Sequence, residues 1–321
     1  MLPYVVLLLF AALVNAYADP GACSGSCWAH DPNVIRRKTD GKFFRFSTGL
    51  GILISSASAI TGPWTDLGYV LPNGSSVTVG NASNLWAPDV HYDSGRYYLY
   101  YASSTLGSQS STIGVATSTT LEAGSWTDHG TIGLTSSSAN SYNAIDANWI
   151  SIGGTGYLQW GSYWHGLYQA PMTSSLKISS TTPTNLAYNA SGNHAIEAAY
   201  LYEYAGYYYL TFSSGQAQGY NNGLPAQGME YRVVVCRSKS GTGNFVDKNG
   251  VACTNSGGTT VLASHNYVYG PGGQGIVNTT NHGIVLYYHY ANPNIGLDTS
   301  QYQFGWNTLT WVDGWPTVAD S

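Results

Sequence analysis

Five times along the chain a turn marked by glycine leads into a short strand-like run rich in aromatic residues. The copies are Gly41 with residues 42–46, Gly95 with 96–101, Gly156 with 157–160, Gly206 with 207–212 and Gly283 with 284–290. Each is followed by another strand-like run, at 51–55, 113–117, 167–172, 231–237 and 302–306. Most units then add one more, and Pro63-Trp64-Thr65-Asp66 matches Ser125-Trp126-Thr127-Asp128 almost letter for letter. No stretch after residue 16 carries helical periodicity, while Gly, Ser, Asn and Pro punctuate the runs. A four-strand unit recurring at spacings of about 50 to 75 residues predicts an all-β fold, a five-bladed β-propeller. A two-sheet jelly roll is the alternative, but it has no need for the unit to recur. The blades leave no room for a second domain, so residues 17–321 read as one unit.

Ahead of that unit lies an apolar run over residues 2–14, ending in Val14-Asn15-Ala16. It is shorter than the roughly 20 apolar residues of a membrane span and has the small-residue ending of a secretory signal peptide. Residues 1–16 are therefore expected to be removed and the protein secreted, with no membrane association. The cysteines agree: Cys23, Cys27, Cys236 and Cys253 form two close-spaced pairs, the pattern of disulfides in an oxidising compartment. Zinc is the other reading, but no His-x-x-x-His accompanies them, so no metal is assigned. Sequons at Asn73, Asn81, Asn189 and Asn278 fit export and glycosylation.

Only 8% of residues are charged, the net charge is −5, and 27 Tyr and 10 Trp are present. A nucleic-acid partner is excluded, because nothing supplies the basic stripe that would neutralise phosphates. A neutral, flat-faced ligand suits the composition, although aromatics also pack well on pleated sheets.

The residues ahead of each repeated turn read His30-Asp31-Pro32, Ala87-Pro88-Asp89, Ile145-Asp146-Ala147, Ile196-Glu197-Ala198 and Gly270-Pro271-Gly272-Gly273. The first strand of a propeller blade lines the central channel, so acids at its head in several blades form a ring at one mouth. Asp31, Asp146 and Glu197 then supply the acid, the base and the third carboxylate that glycosidic cleavage calls for. Asp89 follows Pro88 in ordinary turn chemistry and reads as structural. His30 and His194 sit beside two of the acids, as ligands to substrate, as orienting groups or as structural histidines. The serine-hydrolase elbow and the nucleotide-binding loops are missing.

Taken in order, His30-Asp31-Pro32, Asn84-Leu85-Trp86-Ala87-Pro88-Asp89, Tyr142-Asn143-Ala144-Ile145-Asp146 and His194-Ala195-Ile196-Glu197-Ala198 resemble glycoside hydrolase family 43, in particular its endo-acting arabinanases. The resemblance implies a five-bladed propeller and an inverting mechanism. It makes Asp31 the general base, Asp146 the residue that orients and raises the acid, and Glu197 the general acid. It places Trp86, His30, Asn143 and His194 at the substrate. The implied reaction is hydrolysis of internal α-1,5 linkages of arabinan by a monomer that requires no organic cofactor. Many relatives carry a histidine in the fifth blade that helps hold a central metal ion, often calcium. Here that position is Gly273, with Gln274 and His289 the nearby residues that could compensate. An exo-acting arabinofuranosidase or β-xylosidase is the rival on the same scaffold, and a non-catalytic glycan-binding propeller is the rival from another class.

Overall fold

The computed structural model describes residues 17–319, so the expected signal peptide at 1–16 lies outside the described residues. Five antiparallel sheets follow one another along the chain, and their strands run from the axis outward in sequence order. Blade 1 is Asn33–Arg36, Phe43–Ser47, Leu53–Ala57 and Thr65–Tyr69. Blade 2 is Asn84–Asp93, Arg96–Ser103, Ser111–Ser118 and Thr127–Ser136, with the two-residue strand Gly49–Leu50 added to its inner edge. Blade 3 is Asn148–Ile152, Thr155–Trp160 and Leu167–Ser174, with both Lys177–Ile178 and Thr184–Ala187 on its outer side. Blade 4 is Ile196–Tyr204, Tyr207–Ser214, Arg232–Ser238 and Thr259–Leu262, and blade 5 is Tyr269–Asn278, Ile284–Ala291, Gln303–Val312 and Trp315–Ala319. The only helices among the described residues are three short 3₁₀ turns, and none is long or apolar enough to cross a membrane.

The strand sequences follow from this stacking. A middle strand is covered on both faces by its neighbouring blades, so Phe43–Ser47 and Ser111–Ser118 are buried at every position. The outermost strand of blade 2 faces solvent on one side, and from Gly130 to Ser136 buried and exposed positions alternate. Five apolar clusters fill the five seams. Phe44 and Ile54 meet Leu99 and Tyr101 between blades 1 and 2, for example, and Leu210 and Phe212 meet Leu167 and Leu186 between blades 4 and 3. Four of the repeat glycines make their turns in the left-handed region that favours glycine. Blade 3 differs: Gly153 and Gly154 make the turn, and Gly156 stands in the strand, where a Cβ would strike the Trp149 ring.

The ring closes through the segment ahead of blade 1. Gly21 N–H donates to Trp306 O at 2.8 Å, Phe304 N–H to Cys27 O at 2.8 Å and Asn307 Nδ2 to Asp19 O at 2.8 Å, which lays residues 19–29 along blade 5. Disulfides join Cys23 to Cys27 within that segment and Cys236 to Cys253 in blade 4, the pairing expected from the spacing. The closing seam packs Phe43 and Trp64 of blade 1 against Phe304 and Trp306 of blade 5. Buried Arg45 lies between the rings of Trp64 and Phe304, 4.7 and 4.9 Å from their centroids. Trp306 is fully buried and donates its indole N–H to Ala22 O, so Trp306→Ala should cost about 3–5 kcal/mol of stability in urea unfolding. A loss below about 1 kcal/mol would mean that this seam is not part of the cooperative fold.

Candidate active site

At the head of every inner strand one residue takes a left-handed backbone: Asp31 at φ 43°, Ala87 at 43°, Asp146 at 57°, Ala198 at 56° and Gly273 at 58°. Four of these are not glycine, and such a conformation costs an L-residue roughly 1–2 kcal/mol, so it persists only where the surroundings hold it. Asp31 and Asp146 occupy this position themselves, whereas Glu197 precedes it. The three acids line one cleft of about 1050 Å³ whose walls come from all five blades. Asp89 lies elsewhere. It stands two residues past the head of blade 2, buried in the channel below the cleft. Its Oδ1 accepts from Asn33 Nδ2 at 3.1 Å and Asn148 Nδ2 at 3.0 Å, and its Oδ2 from Trp149 N–H at 2.9 Å. It thereby ties the inner strands of blades 1, 2 and 3 together, as a structural acid. Burial pushes it up to about 7 against the hydrogen bonds from Asn148 and Trp149.

Each cleft acid has its own partners. The Thr48 hydroxyl donates to Asp31 Oδ2 at 2.9 Å and accepts Ala87 N–H at 2.8 Å. Burial would raise Asp31, but His30, His289 and the Thr48 hydrogen bond outweigh it and hold the carboxyl below its ordinary value. Glu197 accepts the Ser162 hydroxyl on Oε2 at 2.6 Å and the Tyr231 hydroxyl on Oε1 at 2.8 Å. Asp146 Oδ2 accepts Ala198 N–H at 3.1 Å, so it fixes the backbone next to Glu197. Burial raises both Asp146 and Glu197, and repulsion adds to it: Glu197 and Asp31 raise Asp146, and Asp31 raises Glu197 against its hydrogen bonds from Ser162 and Tyr231. No Lys or Arg lines the cleft among the described residues, so nothing cationic offsets that repulsion. The Asp146–Glu197 pair titrates as a unit and retains a proton while Asp31 ionises. One cleft thus holds a ready base beside a carboxyl that still carries its proton.

The family comparison agrees with this chemistry. The sequence model described as Glycosyl hydrolases family 43 matches residues 25–316. The chain belongs to glycosyl hydrolases family 43. It is 81% identical over 314 residues to a protein of Aspergillus niger described as a probable arabinan endo-1,5-alpha-L-arabinosidase C, covering 98% of this chain and 99% of that one. An exo-1,5-alpha-L-arabinanase from a bovine ruminal metagenomic library has a similar structure, with TM-score 0.80, 28% identity and coverage of 91% and 96% of the two chains. So does the Cellvibrio cellulosa alpha-L-arabinanase complexed with arabinohexaose, with TM-score 0.77, 26% identity and coverage of 91% and 95%.

In this family 43 chain the remaining sequence candidates also line the cleft. Trp86 packs partly against the seam of blades 2 and 3 while keeping a place in the wall. The Asn143 carbonyl accepts the Ser111 hydroxyl at 2.7 Å, which fixes the amide and leaves Nδ2 as the group it offers to a ligand. His194 Nδ1 lies 2.8 Å from Asn189 O, so that nitrogen carries the proton and Nε2 is the free acceptor. His30 Nε2 is 3.8 Å from Asp31 Oδ2. Trp28, Tyr163 and Trp164 add aromatic surface to the same walls.

The groups around Gly273 bear on the metal expectation. His30, Asp31 and His289 bring ligand atoms within 4.8 Å of one another. Of the three, His289 is the poor ligand: its Nδ1 lone pair accepts Asp31 N–H at 3.0 Å, which puts the imidazole proton on Nε2, and that nitrogen is buried without a partner. Gln274 is turned away, with its Nε2 on Ala198 O and its Oε1 on the Ser213 hydroxyl.

Ser162, Tyr231 and Thr48 are site residues that sequence reasoning did not find. Ser162 lies two residues past the aromatic strand of blade 3, a position the repeat could have flagged. Tyr231 immediately precedes the third strand of blade 4, and nothing local marks it. Burial and the nearby acids raise the Tyr231 phenol far above its ordinary value, so it only donates to Glu197. That donation stabilises the ionised carboxylate. Tyr231→Phe should therefore move the alkaline limb of the kcat/KM profile to higher pH. An unmoved limb, or one moved to lower pH, would separate Tyr231 from the ionisation of the acid.

Proposed function

We propose that this chain is a secreted, inverting endo-arabinanase that hydrolyses internal α-1,5-L-arabinofuranosidic linkages of arabinan. Asp31, ionised and close to two imidazoles, takes a proton from water as that water attacks the anomeric carbon. Glu197 gives its proton to the leaving glycosidic oxygen as the bond breaks. Asp146 holds the Ala198 amide and titrates as a unit with Glu197, so that the pair keeps a proton available for the leaving oxygen. Trp86 provides a flat face for a furanose ring, while His30, Asn143 and His194 offer hydrogen bonds to sugar hydroxyls.

The observation that carries this reading is the convergence of three carboxylates from three blades in a cleft without Lys or Arg. A glycan-binding propeller would have no use for that arrangement. The identity of 81% to a probable endo-1,5-alpha-L-arabinosidase supports the substrate. Endo action is supported by the cleft volume of about 1050 Å³, at the upper end of the roughly 300–1,000 Å³ of single-ligand pockets, which leaves room for several sugar units.

Product analysis on linear arabinan and on arabinoxylan tests the proposal. The expected outcome is oligosaccharides of mixed length from arabinan alone, with the β-anomer seen first by proton NMR. Glu197→Gln and Asp31→Asn should each lower kcat by about 10²–10⁴-fold. Release of arabinose alone would make the enzyme exo-acting, and variants of undiminished rate would end the assignment of both carboxylates. No step runs through a metal ion. Dialysis against a chelator is therefore expected to leave the rate on arabinan within about twofold, and a rate lost to the chelator and restored by calcium would contradict the metal-free reading.

A further inference from the structure

Four of the five left-handed strand heads surrender their amide hydrogen to a side chain of the preceding blade around the ring. Ala87 N–H goes to Thr48 Oγ1, Ala198 N–H to Asp146 Oδ2, Gly273 N–H to Ser213 Oγ at 3.0 Å, and Asp31 N–H to His289 Nδ1 at 3.0 Å. A left-handed residue takes its amide out of the strand ladder, and a buried N–H without an acceptor costs about 1–3 kcal/mol. Each side chain therefore holds its head in a conformation the backbone alone would abandon.

His289 is the unusual member. It projects from Ile284–Ala291 of blade 5, opposite Gly272 in the ladder, and is fully buried. Its ring stacks between Tyr231 and Tyr302, with centroids 5.9 and 5.2 Å away. It also fills the space in front of Gly273, where a Cβ would lie 2.8 Å from both His289 Nδ1 and Asp31 Oδ1. A side chain at 273 and the imidazole of 289 exclude one another. Burial pushes the imidazole down to about 3, and the hydrogen bond it accepts from the Asp31 amide is the contact that fixes the backbone there.

We propose that His289 is a positioning residue for the general base: by accepting the Asp31 amide it holds the left-handed turn that aims the Asp31 carboxylate at the attacking water. This rests on the role of Asp31 in the hydrolytic reading above. His289→Phe keeps the size and stacking of the ring and removes the acceptor, whereas His289→Gln retains an acceptor in its side-chain carbonyl. With linear arabinan, the Phe variant should lose about 30- to 100-fold in kcat, with KM and the affinity for arabinohexaose within about twofold. The Gln variant should regain at least about tenfold of that loss. Full activity of His289→Phe would overturn the proposal, as would a Phe variant whose kcat, oligosaccharide affinity and thermal midpoint fall together, which is the signature of a merely structural residue. Should the Phe variant not fold, ¹⁵N NMR of the unaltered protein decides. A His289 with proton-bearing Nε2 and hydrogen-bonded Nδ1 from pH 4 to 8 supports the proposal, and a proton on Nδ1 overturns it. Inactivity of the unaltered protein on arabinan would overturn the arabinanase reading and this proposal together, whereas full activity of His289→Phe alone leaves the arabinanase reading standing.

Discussion

The convergence of five inner strands on one axis is the constraint on which the rest of this molecule depends. Strands that meet head-on around a narrow channel must turn at the mouth, and each carries a left-handed residue there. The turn carries two consequences at once. It removes a backbone amide from the ladder, which calls for an acceptor from elsewhere, and it swings the side chain of that residue or its neighbour into the cleft. Structure and chemistry are therefore served by the same atoms. Asp146 closes a backbone hydrogen bond at Ala198 while titrating together with Glu197, and Thr48 satisfies Ala87 while donating to Asp31.

A second constraint is electrostatic. Bringing three carboxylates into one partly enclosed cleft is unfavourable unless protons or cations compensate, and the cleft lining offers no Lys or Arg. Compensation by protons is what the geometry allows. Hydroxyl donors on Glu197 soften the penalty without abolishing it, and the imidazoles and Thr48 draw the ionised state toward Asp31. The low charge content of the whole chain has its functional counterpart here, since a nearby lysine would quench the proton retention on which acid catalysis relies.

Much of the fold was legible because its unit repeats. Glycine turns and aromatic strands report local backbone preference, and five recurrences leave few architectures that accept them. Even so, blade 3 turns at Gly153 and Gly154 rather than at Gly156, in the same two-residue left-handed turn that Ser94-Gly95 and Ala205-Gly206 make in blades 2 and 4. The acids were legible through their place in the repeat, but only to within a residue or two. The sequence cannot distinguish Asp31, which is itself the left-handed head, from Glu197, which precedes one, or from Asp89, which follows one and points into the channel. Such offsets decide which way a side chain faces, since neighbouring positions on a strand face opposite sides.

What the sequence by itself determined is therefore the all-β repeat, the close spacing of the cysteines and the three carboxylates that share the cleft, all of which are written in short-range pattern or in its recurrence. The tertiary structure alone decided the partners of those carboxylates. Tyr231 reaches Glu197 across 34 positions of chain and His289 reaches Asp31 across 258. The first contact is made by strand pairing within blade 4 and the second by closure of the ring, and no local propensity records either. For the same reason an imidazole on the second strand of blade 5 could take the space in front of Gly273: the channel fixes how much volume is filled, and leaves open which strand fills it.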